Sequence, residues 1–156
     1  MNEPDECIAY AEHLHHEHRR LNRLLLEIGR EFSLLDSPSR PPGLLTRLGK
    51  RIVDLRKQLQ AHYAEEEAGG CLEEAVARCP SLALDTKVIV KEHPLLDRML
   101  DDLLAQIREL TAEAGELQQA WRDFYTKIQL HEAAETRLLQ TAFGAESADY
   151  DVEEAD

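Results

Sequence analysis

Residues 45–66 read LTRLGKRIVDLRKQLQAHYAEE, and their apolar side chains recur at alternating steps of three and four residues. This spacing is that of the inner face of an amphipathic α-helix. The apolar positions are Leu45, Leu48, Ile52, Leu55 and Leu59. The same register continues through His62 and Glu66, where the spacing favours leucine or isoleucine. The segment therefore predicts a helix with an apolar inner face that is interrupted by an imidazole and a carboxylate.

Three further segments have the same helical periodicity. The first has its inner positions at Ala11, Leu14, His18, Leu21, Leu25, Ile28, Phe32 and Leu35. The third has them at Ile89, His93, Leu96, Leu100, Leu103, Ile107 and Leu110. The fourth has them at Leu117, Trp121, Phe124, Ile128, His131, Glu135, Leu138 and Ala142. Helices of this kind joined by short loops pack most simply as an antiparallel bundle.

Proline and glycine mark the ends of these segments, at 36–43, 69–70 and 79–81. Gly115 and Gly144 are expected to lie at helix C-termini. We therefore expect an all-α fold, an antiparallel up-down-up-down four-helix bundle over residues 1–144. A short extra helix from Cys71 to Arg78 is expected between the second and third helices.

The charge balance excludes several partners. The chain of 156 residues carries 31 acidic and 18 basic side chains, for a net charge of -13. Nucleic acids and anionic lipid surfaces require a basic stripe, so we expect neither as a partner. No apolar stretch approaches 18 residues and the N-terminus has no signal-like run, which predicts a cytoplasmic chain. We also expect a monomer with three reduced cysteines. Residues 145–156 contain six acidic residues and no basic one, so we expect a disordered tail there.

Six polar residues interrupt the four inner faces: His18, His62, Glu66, His93, His131 and Glu135. Burying a carboxylate costs several kcal/mol unless it is paired or coordinated. In each His-x-x-x-Glu pair, the two side chains leave one helix face one turn apart and reach the same cavity. Four nitrogen and two carboxylate donors suit iron, manganese or zinc better than magnesium or calcium. The carboxylates could bridge a pair of ions, or all six donors could saturate one.

Two smaller expectations concern the other histidines and the third helix. Pro94 follows His93 directly, and a proline inside a helix removes a hydrogen bond, so we expect a local distortion there. His13 and His16 point away from the inner face and are expected on the surface.

The ordered pattern of these residues resembles the hemerythrin-like HHE cation-binding domain over residues 5–143. Its parts are Glu17-His18-x-x-Leu21-x-x-Leu24-Leu25, His62-x-x-x-Glu66, Glu92-His93 and His131-Glu132-x-x-Glu135. The resemblance implies a non-haem di-iron centre in which His18, His62, His93 and His131 are terminal ligands. It also implies that Glu66 and Glu135 bridge the irons beside an oxo or hydroxo group. Dioxygen or a related small oxidant would bind at an open iron position.

One departure from the family's pattern bears on the function. Oxygen-carrying hemerythrins have a second histidine one turn after the third-helix ligand, and Asp97 stands at that position here. Asp97, Glu132 or His15 could complete the set of ligands. A site with fewer histidines and more carboxylates favours the ferric state, so sensing of oxygen or peroxide, or iron handling, is favoured over oxygen transport.

Three functions are compatible with the sequence. The first is a di-iron protein that binds or senses dioxygen or peroxide or handles iron; manganese and zinc are alternative metals. The second is a di-iron oxidase or peroxidase, which we favour less because no substrate pocket with placed polar groups is evident. The third is an interaction module in which the metal only stabilises the helices. The walls of the expected pocket are Leu14, Leu21, Leu59, Leu96, Ile128 and Leu138.

Overall fold

The computed structural model describes residues 4–109 and 112–143, and its regular secondary structure is helical throughout. The helices are α1 (Pro4–Ser33), α2 (Leu44–Ala68), α3 (Cys71–Arg78), α4 (Ala83–Glu109) and α5 (Ala114–Phe143). A single 3₁₀ turn, Pro80–Leu82, precedes α4. The expected all-α class and the short helix α3 are confirmed. The expected tail and the helix end at Gly144 lie outside the described residues.

Glycine sets the start of two helices. Gly43 precedes α2 with φ 73° and Gly70 precedes α3 with φ 75°. Both values lie in the left-handed region, which side chains other than glycine adopt at a cost.

The prediction that Gly115 ends a helix is wrong, because this residue lies in the first turn of α5. The backbone N–H of Glu113 donates to the Glu116 carboxylate at 3.2 Å, and the Leu117 N–H donates to the Glu113 carbonyl at 3.1 Å. The bond from the Glu113 N–H to the Glu116 side chain is one half of a capping box, and the helix starts ahead of the glycine.

The four long helices pack side by side. Helix α4 lies against α2 and α5, and α1 lies against α5 and α2. Helix α3 packs mainly on α5. Of the described helices, none has an apolar run long enough to span a lipid bilayer. Helix α4 continues without a break through Pro94, which is exposed.

The apolar core forms two clusters. The larger includes the buried side chains Phe32, Ile52, Leu55, Leu100, Trp121 and Phe124. The smaller, beneath α3, includes Cys7, Leu14, Cys71, Leu72, Ile89 and Leu138. Along α4, His93 falls between Ile89 of the smaller cluster and Leu96 of the larger one. The polar residues of the other long helices occupy the same intermediate level, so a polar layer separates the two clusters.

Candidate metal centre

The six predicted donors are all withdrawn from solvent. His18, Glu66, His93, His131 and Glu135 are buried, and His62 leaves 10% of its side chain exposed. Five of the expected apolar neighbours are also buried, while Leu21 is half-buried; the five are Leu14, Leu59, Leu96, Ile128 and Leu138. The helical register therefore places these donors in an apolar interior.

The donors form two groups that could each hold a metal ion. The first group contains His18, His62, Glu66 and Glu135. The second contains Glu66, His93 and His131. Within each group, one nitrogen or oxygen atom from every residue lies within 4.8 Å of the others. Glu66 belongs to both groups, so the two groups are adjacent.

The two oxygens of Glu66 face different partners. Its Oε1 contacts Nε2 of His62, and its Oε2 lies 2.9 Å from Nε2 of His93. Glu135 is placed differently, because its Oε2 lies 3.7 Å from Nε2 of His18 in the first group. The two glutamates have equivalent positions in their His-x-x-x-Glu motifs, but in the structure only Glu66 belongs to both groups.

The geometry of these atoms fits a metal better than a hydrogen-bond network. Nε2 of His18, His93 and His131 and both oxygens of Glu66 and Glu135 are buried without a hydrogen-bond partner. Nε2 of His18 lies 3.7 Å from Oε2 of Glu135, and Nε2 of His93 lies 2.9 Å from Oε2 of Glu66. Unpaired buried polar atoms are costly, and converging lone pairs are the arrangement that a cation satisfies.

Three outer carboxylates lie against the opposite nitrogens of the imidazoles. Oε2 of Glu17 lies 2.8 Å from Nδ1 of His62. Nδ1 of His93 lies 3.5 Å from Glu67, and Nδ1 of His131 lies 3.8 Å from Glu92. Only the contact with His62 is a hydrogen bond, and it favours the tautomer whose proton is on Nδ1, which leaves Nε2 of His62 free to bind metal. Nδ1 of His93 and Nδ1 of His131 are buried without a hydrogen-bond partner.

The sequence analysis missed the role of these carboxylates. Glu17 and Glu92 precede His18 and His93 in the chain, yet each contacts the histidine of another helix. In the sequence, this role is indicated by the position of Glu17 and Glu92, each of which directly precedes a core histidine.

Burial keeps two of the imidazoles neutral. Burial, and then the neighbouring His62, lower the pKa of His18 to about 3. Burial also lowers the pKa of His131. The pKa of His62 is raised because the carboxylates of Glu66 and Glu17 outweigh the opposing effect of burial. Neutral imidazole is the form that coordinates metal, so His18 and His131 are ready as ligands at neutral pH.

The two inner carboxylates differ in protonation when no cation lies between them. Burial, and then the charge of Glu66, raise the pKa of Glu135 well above its ordinary value of 4.5. Burial acts on Glu66 in the same direction, but His62 and His93 outweigh it and lower the pKa of Glu66. Without a cation, Glu135 therefore binds a proton more readily than Glu66, and a bound cation would displace that proton.

Tyr63 completes the wall beside the second group. Its ring stacks on His93 at a centroid distance of 4.1 Å and an angle of 11°, and it meets His131 edge-on at 6.1 Å. Burial is the main cause that raises the pKa of the Tyr63 phenol well above its usual range. The stacking fixes the plane of the His93 ring. Sequence periodicity did not single out Tyr63, which follows His62 directly.

The candidates for an additional ligand lie outside both groups. Asp97 is half-buried, and its Oδ2 lies 3.5 Å from the amide nitrogen of Gln60. Glu132 is buried, and burial raises the pKa of its carboxyl to about 7. His15 is half-buried. Among the described residues, the two groups are therefore built from the six core donors alone. His13 and His16 are exposed, as expected.

A cavity of about 240 Å³ leads from the surface to the first group. Its lining residues are Glu17, His18, Arg20, Leu21, Gln58, Leu59, Ala61 and His62. Arg20, Gln58 and Ala61 are exposed, whereas His18 is buried. The cavity therefore connects solvent with two of the core donors.

Comparisons with protein families, with curated proteins and with solved structures find no match for this chain. The assignment of the centre rests on the residue pattern and on the geometry described above.

Proposed function

We propose that this chain is a hemerythrin-like, non-haem di-iron protein that binds dioxygen or peroxide in the core of an antiparallel up-down-up-down four-helix bundle. His18, His62 and Glu135 would hold one iron, His93 and His131 the other, and Glu66 both. Iron held by these residues would supply reversible electron transfer to a small oxidant. The order of the donors along the chain is the one that the family resemblance implies.

The position of Glu66 is the observation that carries this proposal. Its two oxygens face His62 of one group and His93 of the other. A single ion that used all six donors would not require one carboxylate to be divided between two groups. A pair of ions that shares one carboxylate accounts for the division.

The composition of the second group favours oxygen chemistry. Two imidazoles and one carboxylate, from His93, His131 and Glu66, are the donor types of non-haem iron sites that react with oxygen.

The outer carboxylate of Glu17 holds the Nδ1 proton of His62, and the apolar clusters on either side limit the access of water. The cavity beside His18 and His62 has room for a molecule of the size of dioxygen or peroxide.

Anaerobic loading with Fe²⁺, removal of excess metal and metal analysis test the proposal, followed by a visible spectrum before and after exposure to air. We expect two iron ions per chain and a new visible absorption band in air. Glu66→Gln is expected to lower the retention of both ions, and Glu135→Gln mainly that of one. Glu73→Gln, at an exposed position on α3, is the matched control. One iron or less per wild-type chain, or no change in air, would contradict the proposal.

A further inference from the structure

A third donor group, which is exposed, lies on the surface formed by α1 and α2. Nε2 of His13 lies 3.2 Å from an oxygen of Glu17 and 3.2 Å from an oxygen of Glu65. The three side chains have exposed fractions of 50%, 31% and 44%, and their donor atoms lie within 4.8 Å of one another. We call these three residues the surface triad.

Glu17 connects the surface triad with the core. Its Oε1 faces His13, while its Oε2 lies 2.8 Å from Nδ1 of His62. Nε2 of His62 in turn contacts Glu66. Glu17 also lines the cavity that reaches His18 and His62. Glu17 thus belongs to the surface triad and also lines the cavity that leads to the first buried group.

The chemistry of the surface triad suits brief capture of a cation. One imidazole and two carboxylates are ligands for Fe²⁺, Zn²⁺ or Co²⁺. Three exposed donors bind such ions weakly and release them quickly, because water competes for every position. The net charge of -13 raises the concentration of cations near the chain. The core donors are almost completely buried, so an ion from solvent requires a route to them.

We propose that His13, Glu17 and Glu65 form an entry site that captures a divalent cation and passes it along the cavity to His62 and His18. This inference rests on the proposed function, because it presupposes a metal in the core. The competing interpretation is that His13 only forms ion pairs that tie α1 to α2.

The rate at which metal enters the core distinguishes these interpretations. Metal-free protein is mixed with Co²⁺ alone, and excess chelator is added to separate samples after different times. The chelator removes exposed ions at once. The cobalt that each sample retains is then measured. The test variant is His13→Gln combined with Glu65→Gln. Glu17 is left unchanged because it also orients His62. The control combines His16→Gln and Glu73→Gln, which replace the same residue types at exposed positions outside the triad.

We expect the test variant to load its core about tenfold more slowly than wild type at low Co²⁺, since electrostatic capture changes association rates by about 10- to 1000-fold. Its final cobalt content should equal that of wild type, and the control should load at the wild-type rate. Equal rates in all three proteins would overturn the inference and leave the proposed function intact. A lower final content in the test variant would also overturn it, because the triad would then hold the core metal instead of delivering it. Failure of wild type to retain cobalt would refute the proposed function itself.

Discussion

Replacing Glu135 by glutamine should stabilise the metal-free protein while it weakens metal binding. The carboxyl of Glu135 is buried, and Glu66 offers an oxygen within 4.8 Å of it in the first donor group. Two unit charges at that distance repel by about 3 to 4 kcal/mol at an effective dielectric constant of about 20. Loss of hydration on burial is the larger cause that raises the pKa of Glu135, and this repulsion adds to it. Holding a proton at pH 7 on a carboxyl whose ordinary pKa is 4.5 costs about 3 kcal/mol. The metal-free centre therefore favours the protonated form of Glu135 to a higher pH than an exposed carboxyl does.

The sign of the pH dependence follows from the raised pKa of Glu135. Above pH 4.5 the unfolded chain releases the proton that the folded chain retains. The free energy of unfolding of the metal-free protein therefore falls by about 1.4 kcal/mol per pH unit through this group, until the pH reaches the folded-state pKa. Glutamine removes this contribution and keeps an amide donor beside Glu66. We expect Glu135→Gln to match wild type near pH 4.5 and to be more stable at pH 7, by at most about 3 kcal/mol.

Urea unfolding in the presence of chelator, followed by far-ultraviolet circular dichroism between pH 5 and 7, measures this difference. Glu73→Gln, at its exposed position, should follow the wild-type pH dependence. At a metal concentration of about 1,000 times the wild-type Kd the order should reverse, because binding then stabilises the wild-type protein by about 4.1 kcal/mol, which exceeds the advantage of the variant. If metal-free Glu135→Gln were no more stable than wild type at pH 7, the buried carboxyl would not carry the cost that we assign to it.

Three further predictions concern the core, the thiols and the outer carboxylates. Leu100→Ala removes a fully buried side chain and should lower the free energy of unfolding by about 2–5 kcal/mol. The control Leu84→Ala changes a side chain that is 72% exposed and should alter the free energy of unfolding by less than about 0.5 kcal/mol. Similar losses for the two variants in urea unfolding would be inconsistent with this packing. Burial raises the pKa of the Cys7 thiol to about 12, so a thiol reagent should modify the half-buried Cys79 first in the native protein. Mass spectrometry identifies the modified residue, and early modification of Cys7 would contradict its burial. Glu17→Gln should lower the affinity of the core for metal by about 10- to 100-fold in competition with a chelator, because Nδ1 of His62 loses its carboxylate partner; an unchanged affinity would remove that role from Glu17.

The helices and the donors could be predicted because each follows from the periodicity of a single segment. Helix α3 has the predicted bounds, Cys71–Arg78. His93 and Glu66 are buried where the apolar spacing requires leucine or isoleucine. A residue on the inner face of an amphipathic helix is turned towards the core whatever its partner, so one sequence suffices for that conclusion.

Contacts between helices could not be predicted in the same way. Glu17 meets His62 across α1 and α2, and Tyr63 stacks on His93 across α2 and α4. These contacts depend on how far each helix is rotated and shifted relative to its neighbour, and the period of either helix leaves both quantities open. The difference between Glu66 and Glu135 arises from the same source. The two residues have equivalent places in their motifs, but only one lies between both pairs of histidines.

The central claim is that two metal ions share Glu66. A crystal structure of the iron-loaded protein, with anomalous diffraction recorded at the iron absorption edge, tests it most directly. The account predicts two anomalous peaks in the core, one beside His18 and His62 and the other beside His93 and His131, with the Glu66 carboxylate between them. A single peak ligated by all six donors, or no peak among them, would contradict it.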